Sequence, residues 1–497
     1  MMGSSLLGKR RLEATGRIDL TTIVLCVSFC LVLLIHQITL SSLTKKSSSP
    51  SSSSSTLPNS TTTQVIPSEL NTVERKIAPQ QRQPSEAALP VLQVISCDRT
   101  HKRYDICSLN GPTIMDPTNS IFHVLDPTST TSSSTVSQKI RPYPRKWETN
   151  LMNSRIKELS LLATSSQLED VHCDIHHRNP ALVFSSGGYT GNPYHDFDDG
   201  FIPLFITLRT AYPSSEDQPI LVISKCEDWR LDKYSELLKI FSPCPIINLD
   251  HETSTHCFPS ATVGLISHGF MTIDPTLLPN SETLRDFRAL LESAYAKTGL
   301  QTNPTISALS ASTPTPRPRL LVVSRAGENV GRVMSNQAEV VLLAKEIGFD
   351  VTIFEPTKFT SVTETYRLLN SAHTVVGVHG AAMTNLLFLR PGSVFMQVVP
   401  IGTDWAAEVC YGKPAKEIGL DYMEYKIKVN ESTLVDKYGK DSMVVKDPKS
   451  VSKKDWSIIK KIYFIEQNVR VNLVRFEKHL RKAYKKAKKF MDNMGYN

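Results

Sequence analysis

The sequence predicts an α/β fold of two facing Rossmann-like halves, set behind a single membrane span and an unstructured stem. Three observations predict it. Short apolar, β-branched runs alternate with helical patterns over residues 181–296. A Pro/Ser/Thr-rich break, GLQTNPTISALSASTPTPRP at 299–318, interrupts them. The alternation then restarts at Arg319 and runs to Pro400. Short βα loops and right-handed crossovers would turn both sets of strand ends towards one cleft.

The elements follow in order. Residues 1–19 form a tail in which Lys9, Arg10, Arg11 and Arg17 precede the apolar, uncharged stretch 20–40. That stretch is long enough to cross a hydrocarbon core of about 30 Å. The basic flank keeps the tail in the cytosol, so the bulk of the chain faces the secretory lumen. A cleaved signal peptide is the competing reading, but the apolar core is long for one and no A-x-A site follows. Residues 41–90 read as a stem, because Ser/Thr/Pro low complexity cannot form a core. Asn59 and Asn430 begin glycosylation sequons. Beyond Cys26 and Cys30 in the span, seven cysteines meet an oxidising lumen, so at least one stays free or pairs between chains. Cys97 and Cys107 are near enough for a local disulfide.

The first half, 91–298, opens with a weakly periodic stretch to residue 150, read as loop-rich. Strands are then expected at 181–184, 219–224, 246–249 and 262–267, with helices at 201–211, 234–241 and 281–296. The second half, 319–455, has strands at 319–323, 349–354, 375–378 and 394–399. Its helices are 336–347, with Asn336 as N-cap, Glu339 answering and Gly348 as stop; 361–371, with a Ser361/Glu364 capping box; and 381–389, ended by Pro391-Gly392. In the terminal segment 456–497, Ile458, Ile462, Ile465, Val469, Leu473, Phe476 and Leu480 keep i+3/i+4 spacing and predict one long amphipathic helix. A basic run from Arg481 to Lys489 follows it, either a solvated helix end or an acidic-polymer contact. The net charge of +8 suits an acidic partner without choosing one.

Three stretches carry candidate chemistry. VVGVHGAAMTNLLFLRPGSVFMQVVP, at 375–400, is a β-turn-α-β unit. Its turn aims backbone N–H groups and a helix N-terminus at one spot, which suits a phosphate. His379, Gly380, Ala381, Thr384 and Asn385 lie there, although the glycines could serve the turn alone and His379 could be structural. No GxGxxG or GxxxxGK[ST] loop is present. SGGYTGNPYHDFDDGFIPLF, at 186–205, places His195, Asp196, Asp198 and Asp199 at the first half's strand ends. His195 or Asp199 suits a general base, with the other orienting it; an N-cap carboxylate and a core histidine are the plainer reading. Asp196-Phe197-Asp198 has the DxD form of cation-dependent diphosphate sites, but two carboxylates alone make a poor cage. SRAGENVGRVMSNQAE, at 324–339, supplies Arg325 and Arg332, guanidiniums able to clamp a diphosphate. His251-Glu252…His256 is one residue too long for HExxH, and Cys173 within a His-rich cluster reads as half a disulfide. No GxSxG elbow is present.

These motifs, with RPYPRKWE, the CDRTHKRYDIC segment and YGKPAKEIGLDYMEY, closely resemble glycosyltransferase family 61 over roughly Cys97 to Leu480. The resemblance implies the GT-B architecture of two Rossmann-like domains. It also implies a role for Asn192, His195 and Asp199 on an acceptor side and for Arg325, Arg332 and the HGAAMTN segment on a donor side. The plant branch that the chain resembles implies a Golgi, single-pass type II enzyme. It would move arabinofuranose or xylose from a UDP-sugar onto xylan with inversion, in company with other Golgi glycosyltransferases and with no nucleic acid. No cofactor is expected beyond the UDP-sugar co-substrate, and a divalent metal is not expected. Other branches transfer N-acetylglucosamine to proteins, and a non-catalytic glycan-binding or scaffold member is the remaining alternative.

Overall fold

A computed structural model of the chain describes residues 93–126, 137–165, 172–214, 218–296, 316–325, 330–451 and 456–495. The tail, the apolar stretch 20–40, the stem with Asn59 and most of the linker 299–318 lie outside the described residues. No helix among the described residues is long and apolar enough to cross a membrane.

The fold is mixed α/β with three sheets. In chain order the strands are β1 (Ile95–Asp98), β2 (Ile106–Leu109), β3 (Thr113–Asp116), β4 (Ile121–Asp126), β5 (Ser137–Ile140), β6 (Leu159–Ser165) and β7 (Ile175–His176). Then come β8 (Ala181–Ser185), β9 (Ile220–Ser224), β10 (Ile247–Asn248), β11 (His256–Phe258) and β12 (Ala261–Val263), followed by β13 (Arg319–Val323), β14 (Asp350–Phe354), β15 (Thr374–Val378), β16 (Val394–Val399) and β17 (Asp421–Lys426). The first sheet runs β1-β2-β12-β8-β9-β10, with β12, β8, β9 and β10 parallel and the β1–β2 hairpin antiparallel on its edge. The second runs β5-β6-β4-β3-β11-β7. The third, β14-β13-β15-β16-β17, is wholly parallel and buried along β15 and β16, which explains their unbroken apolar runs.

The alternation after Ala181 and after Arg319 falls where the sequence places it. The leading stretch does not: residues 95–126 and 137–140 hold five strands rather than loops. They are four to six residues long, too short for alternation to show against the polar background. Cys97 and Cys107 are register partners on β1 and β2 and form a disulfide, and a second joins Cys173 to Cys257. Cys226, Cys244 and Cys410 are free thiols.

The terminal segment also differs from expectation. A π-helix, Lys460–Ile465, ends before Gln467, and the long helix is Leu473–Asn493. Between them Val469 makes isolated bridges to Met334 and Ser432, and the Gln467 side chain binds both backbone groups of Ile401. Tertiary partners interrupt a pattern that local spacing reads as continuous. Likewise Asn336 stands at the N-cap of the helix Gln337–Ile347 but spends its amide on Val471, accepting from its N–H at 3.0 Å and donating to its C=O at 2.9 Å. Gly348 ends that helix in the left-handed region, and Ser361 caps Val362–Ser371 by accepting from the Glu364 N–H.

One apolar core crosses the expected boundary. Leu182, Phe197 and Phe205 from the first half pack with Leu321, Tyr366, Met383 and Phe388 from the second. The helix Leu284–Tyr295 pins that junction, its Arg288 Nε donating to the Leu389 carbonyl at 2.6 Å. The two halves therefore share a floor beneath the cleft described next.

Candidate functional site

The third sheet sets one wall. Its order reverses between β13 and β15, so their carboxyl ends open a crevice where ligands of open α/β sheets bind. Arg325 follows β13, and His379-Gly380 follows β15. At Gly380, φ 156°, a Cβ would press on the Arg325 guanidinium and lie 3.1 Å from Arg332 Nη1, so a side chain there would have to displace the Arg325 head group. Two guanidiniums thus converge on one glycine. Arg332 Nε donates to the Phe464 carbonyl at 2.8 Å, and Arg325 Nε is buried with no hydrogen-bond partner. No carboxylate offsets either charge among the described residues. Burial lowers the Arg325 pKa, and burial with the neighbouring Arg325 charge lowers that of Arg332 to about 10. An anion is the partner this arrangement lacks.

The segment after Gly380 is a 3₁₀-helix, Ala381–Phe388, rather than the expected α-helix. Its opening N–H groups still point at the same spot, since the first donors of any such helix lack internal partners. Asn385 opens into a pocket of about 290 Å³ that Ser324, Arg325, Glu355, Thr357 and Ala381 also line. Thr384 does not reach a cavity: it is buried under Tyr411, whose hydroxyl donates to the Gly380 carbonyl at 2.9 Å. His379 accepts at Nδ1 from Gln397 Nε2 at 2.8 Å, and Gln397 in turn accepts from the Tyr422 hydroxyl. Burial, then the charges of Arg332 and Arg325, push its pKa down to about 3, so it is a neutral donor through Nε2.

The opposite wall is built on β8. After the Gly187-Gly188 turn the chain enters a short helix, Pro193–His195, and then a π-helix, Asp196–Phe201. Such one-turn widenings recur at functional sites. Here it turns three carboxylates inward. Asp199 Oδ2 accepts from the Tyr143 hydroxyl at 2.7 Å, Arg145 Nε at 2.7 Å and His195 Nδ1 at 2.8 Å. Burial raises the Asp199 pKa, but the His195 hydrogen bond and the Arg145 charge outweigh it, and its carboxyl sits below the usual range. Asp198 goes the other way: burial and the Asp199 charge hold it well above that range. His195 Nδ1 meets both Asp199 Oδ2, at 2.8 Å, and Arg145 Nη2, at 3.1 Å; the tautomer that donates from Nδ1 to Asp199 leaves Nε2 open to accept. His195 faces the cleft, whereas Asp199 lies behind it. Asn192, also on the cleft, caps the turn by accepting from the Tyr194 N–H at 3.0 Å.

Sequence reasoning missed Arg145 and Tyr143. They lie more than fifty positions before Asp199 in RPYPRKWE, a segment noted only for its family likeness. The backbone carries a further signal. Only six described non-glycine residues have positive φ, and three are here: Arg145 (127°), Met271 (46°) and Arg332 (56°). Such strain gathers where geometry is imposed by a site.

His195, Asp198 and Asp199 place ligand atoms within 4.8 Å of one another, as a metal cage would. Arg145 already binds Asp198 at 3.2 Å and Asp199 at 2.7 Å, placing a fixed cation among these groups. The DxD pair is also split, for Asp196 accepts from the Gly191 N–H and the Tyr234 hydroxyl. The second metal-like cluster, Cys173, His176 and Cys257, has both its sulfurs joined in a disulfide; nearby, His256 meets His177 at 2.8 Å and Glu252 at 3.3 Å.

A cleft of about 520 Å³ lies between the walls, lined by His195 and Arg145 on one side and by Arg332, His379, Gly380 and Ala381 on the other. An unmet anion site facing a histidine with a free, oriented nitrogen defines a transferase that takes a group from an anionic leaving group. The family profile described as Glycosyltransferase 61 matches residues 195–396, which include His195 and Asp199 on one wall and Arg325, Arg332 and His379 on the other. Xylan glycosyltransferase MUCI21 of Arabidopsis thaliana is 42% identical over 402 residues, 79% of this chain and 80% of that protein. Beta-1,2-xylosyltransferase XYXT1 of Oryza sativa subsp. japonica is 34% identical over 403 residues, 78% of this chain and 83% of that protein. Alpha-1,3-arabinosyltransferase XAT3 of the same rice is 32% identical over 388 residues, 78% and 64% of the two chains. The chain belongs to glycosyltransferase family 61.

Proposed function

We propose that the chain is an inverting glycosyltransferase that moves a pentose, arabinofuranose or xylose, from a UDP-sugar onto xylan. The observation that carries this is the convergence of Arg325 and Arg332 on Gly380, with no counter-anion among the described residues, opposite His195. The diphosphate sits on Gly380 and the opening N–H groups of Ala381 and Ala382. Its nucleoside fills the 290 Å³ pocket past Ala381, within reach of Asn385, and its sugar projects into the cleft. An acceptor hydroxyl then attacks the anomeric carbon from the His195 side. His195 Nε2 takes the hydroxyl proton as the new C–O bond forms. The anomeric C–O bond breaks towards the diphosphate, whose developing charge the two guanidiniums stabilise. Attack from the face opposite the leaving group inverts the centre. Asp199, whose Oδ2 already accepts from three donors, steadies the imidazolium and is the orienting partner rather than the base.

Several finer readings rest on the same proposal. The two walls correspond to the acceptor and donor domains of a GT-B enzyme. No divalent metal is needed, since arginines supply the positive potential. Residues 20–40 anchor the protein in the Golgi membrane as a type II enzyme with its catalytic part luminal, and Asn59 and Asn430 carry glycans. Asn430 is exposed in the turn Val429–Glu431, which suits that role. The activities that the relatives' names state support a pentose donor and a xylan acceptor over a scaffold role, as do the complete histidine and arginine sets. A hydrolysis screen of the full chain across UDP-sugars tests it. Turnover of a UDP-pentose, abolished by His195→Ala, is expected; no nucleotide-sugar binding at all would leave the scaffold reading.

A further inference from the structure

The donor reading leaves one feature of the cleft unused. Of the chain's four tryptophans, Trp147, Trp405 and Trp456 all line it. They are unusually open for their size, at 46%, 61% and 51% exposure. They form two aromatic groups. Phe270 bridges Trp147 and Trp405 edge-on, with centroids 6.1 and 5.8 Å away. Trp456 packs edge-on against Phe464 at 5.5 Å. Cations hold both groups in place: Arg103 lies 4.3 Å over Phe270 and 5.1 Å over Trp147, and Arg332 lies 5.2 Å over Phe464. Large aromatics fixed edge-to-face yet open to water present faces for a ligand rather than for the core.

We infer that these two groups are an acceptor platform for a linear β-1,4-linked xylopyranose chain, with Trp405 and Trp456 as its principal sugar-stacking faces. The inference rests on the transferase reading and names the part of the acceptor that the site holds. The nucleoside has its own pocket beyond Ala381, so the tryptophans are not needed for the donor. A β-1,4-xylan unit carries every hydroxyl equatorially and has no exocyclic carbon. Both of its ring faces are therefore C–H surfaces that suit an indole. Exposed aromatics that line the same cleft as His195 bind units flanking the one being substituted, so the platform reads chain length, not only the reacting sugar. The two rims carry no acidic side chain among their five rings, and Glu148 at the cleft is engaged by Arg145 and Tyr189. Nothing in the rims therefore repels a chain bearing uronate branches.

The test is tryptophan fluorescence of the full chain in detergent, titrated with xylobiose and xylohexaose without any donor. Xylohexaose binds more tightly than xylobiose. Trp405→Ala and Trp456→Ala each weaken xylohexaose binding about five- to tenfold, the value of one aromatic contact. Trp405→Phe recovers part of the loss. In transfer assays the same Ala variants raise the KM for the xylan oligomer far more than they lower kcat. Trp229→Ala, an aromatic outside the cleft, changes neither. Equal affinity for the two oligomers, wild-type binding by Trp405→Ala, or tighter binding of cellohexaose or of a glycopeptide overturns the inference. Xylohexaose binding without any pentose transfer refutes the transferase reading and leaves the platform standing. Transfer onto xylan with no length dependence does the reverse.

Discussion

Replacing Arg332 with alanine separates the cost of holding a charge from its use. The guanidinium is pushed down from its ordinary value to about 10 by burial and by Arg325. At neutral pH it is protonated both folded and unfolded, so folding bears the whole difference, about 3 kcal/mol, which fades only above the folded value. The side chain gives back part of this. Its hydrogen bond to the Phe464 carbonyl contributes about 1 kcal/mol and its stacking on Phe464 about 0.5–2. Arg332→Ala should therefore unfold within a few degrees of wild type when no ligand is present. With UDP the two diverge. Losing one charge-assisted contact to the diphosphate costs about 1.5–3 kcal/mol, or roughly 10- to 150-fold in affinity. Thermal unfolding across a UDP titration reads both quantities, because a ligand raises stability as the logarithm of its saturation. An unliganded variant that has lost most of its stability, or one that gains as much from UDP as wild type does, refutes the placement.

Gly380→Ala drives a methyl into the Arg325 guanidinium and should weaken UDP binding at least as much as Arg332→Ala, by the same titration. Asp199→Asn should lower kcat by about 10²–10⁴ with little change in acceptor KM, since it disturbs the tautomer and charge of His195 rather than a substrate contact; full activity would remove Asp199 from the site. Because the folded Asp198 pKa is raised, its contribution to stability is complete below the unfolded value near 3.9 and is lost as pH rises through the folded one. Asp198→Asn should therefore gain stability relative to wild type at pH 8 and lose that gain at pH 4, which denaturant melts at the two pH values check. Transfer should survive EDTA; loss on chelation with recovery on added manganese would contradict the arginine-based leaving-group stabilisation. In sealed microsomes the large domain should resist external protease, and its digestion would refute the type II reading.

The parts of the site legible in the sequence are those a single βα unit builds. His379-Gly380, Arg325 and the His195–Asp199 turn each follow a strand whose apolar run marks it, so their placement at strand ends could be read locally. Arg145 and Tyr143 could not, because their partner Asp199 is more than fifty residues away and nothing local announces it. Neither could the burial of Thr384 under Tyr411, which depends on packing from a segment 27 residues downstream. The terminal helix shows the opposite failure. Apolar spacing from Ile458 to Leu480 fits one helix, but Val469 has bridge partners on two other segments, and those contacts outweigh helical continuity there. The sequence could not choose between His195 and Asp199 as base, because the three donors that meet on Asp199 Oδ2 come from residues 143, 145 and 195 and only the fold brings the first two there.

The central claim is that a pentose passes across this cleft from the arginine wall to an acceptor activated by His195. The most direct measurement is NMR of the product formed from UDP-arabinofuranose or UDP-xylose and xylohexaose by the wild-type chain and by His195→Gln. A single pentose joined to the oligomer with the anomeric configuration inverted, and no product from the variant, is the predicted result. Retention at the anomeric centre, or a His195→Gln enzyme that transfers at the wild-type rate, would contradict it.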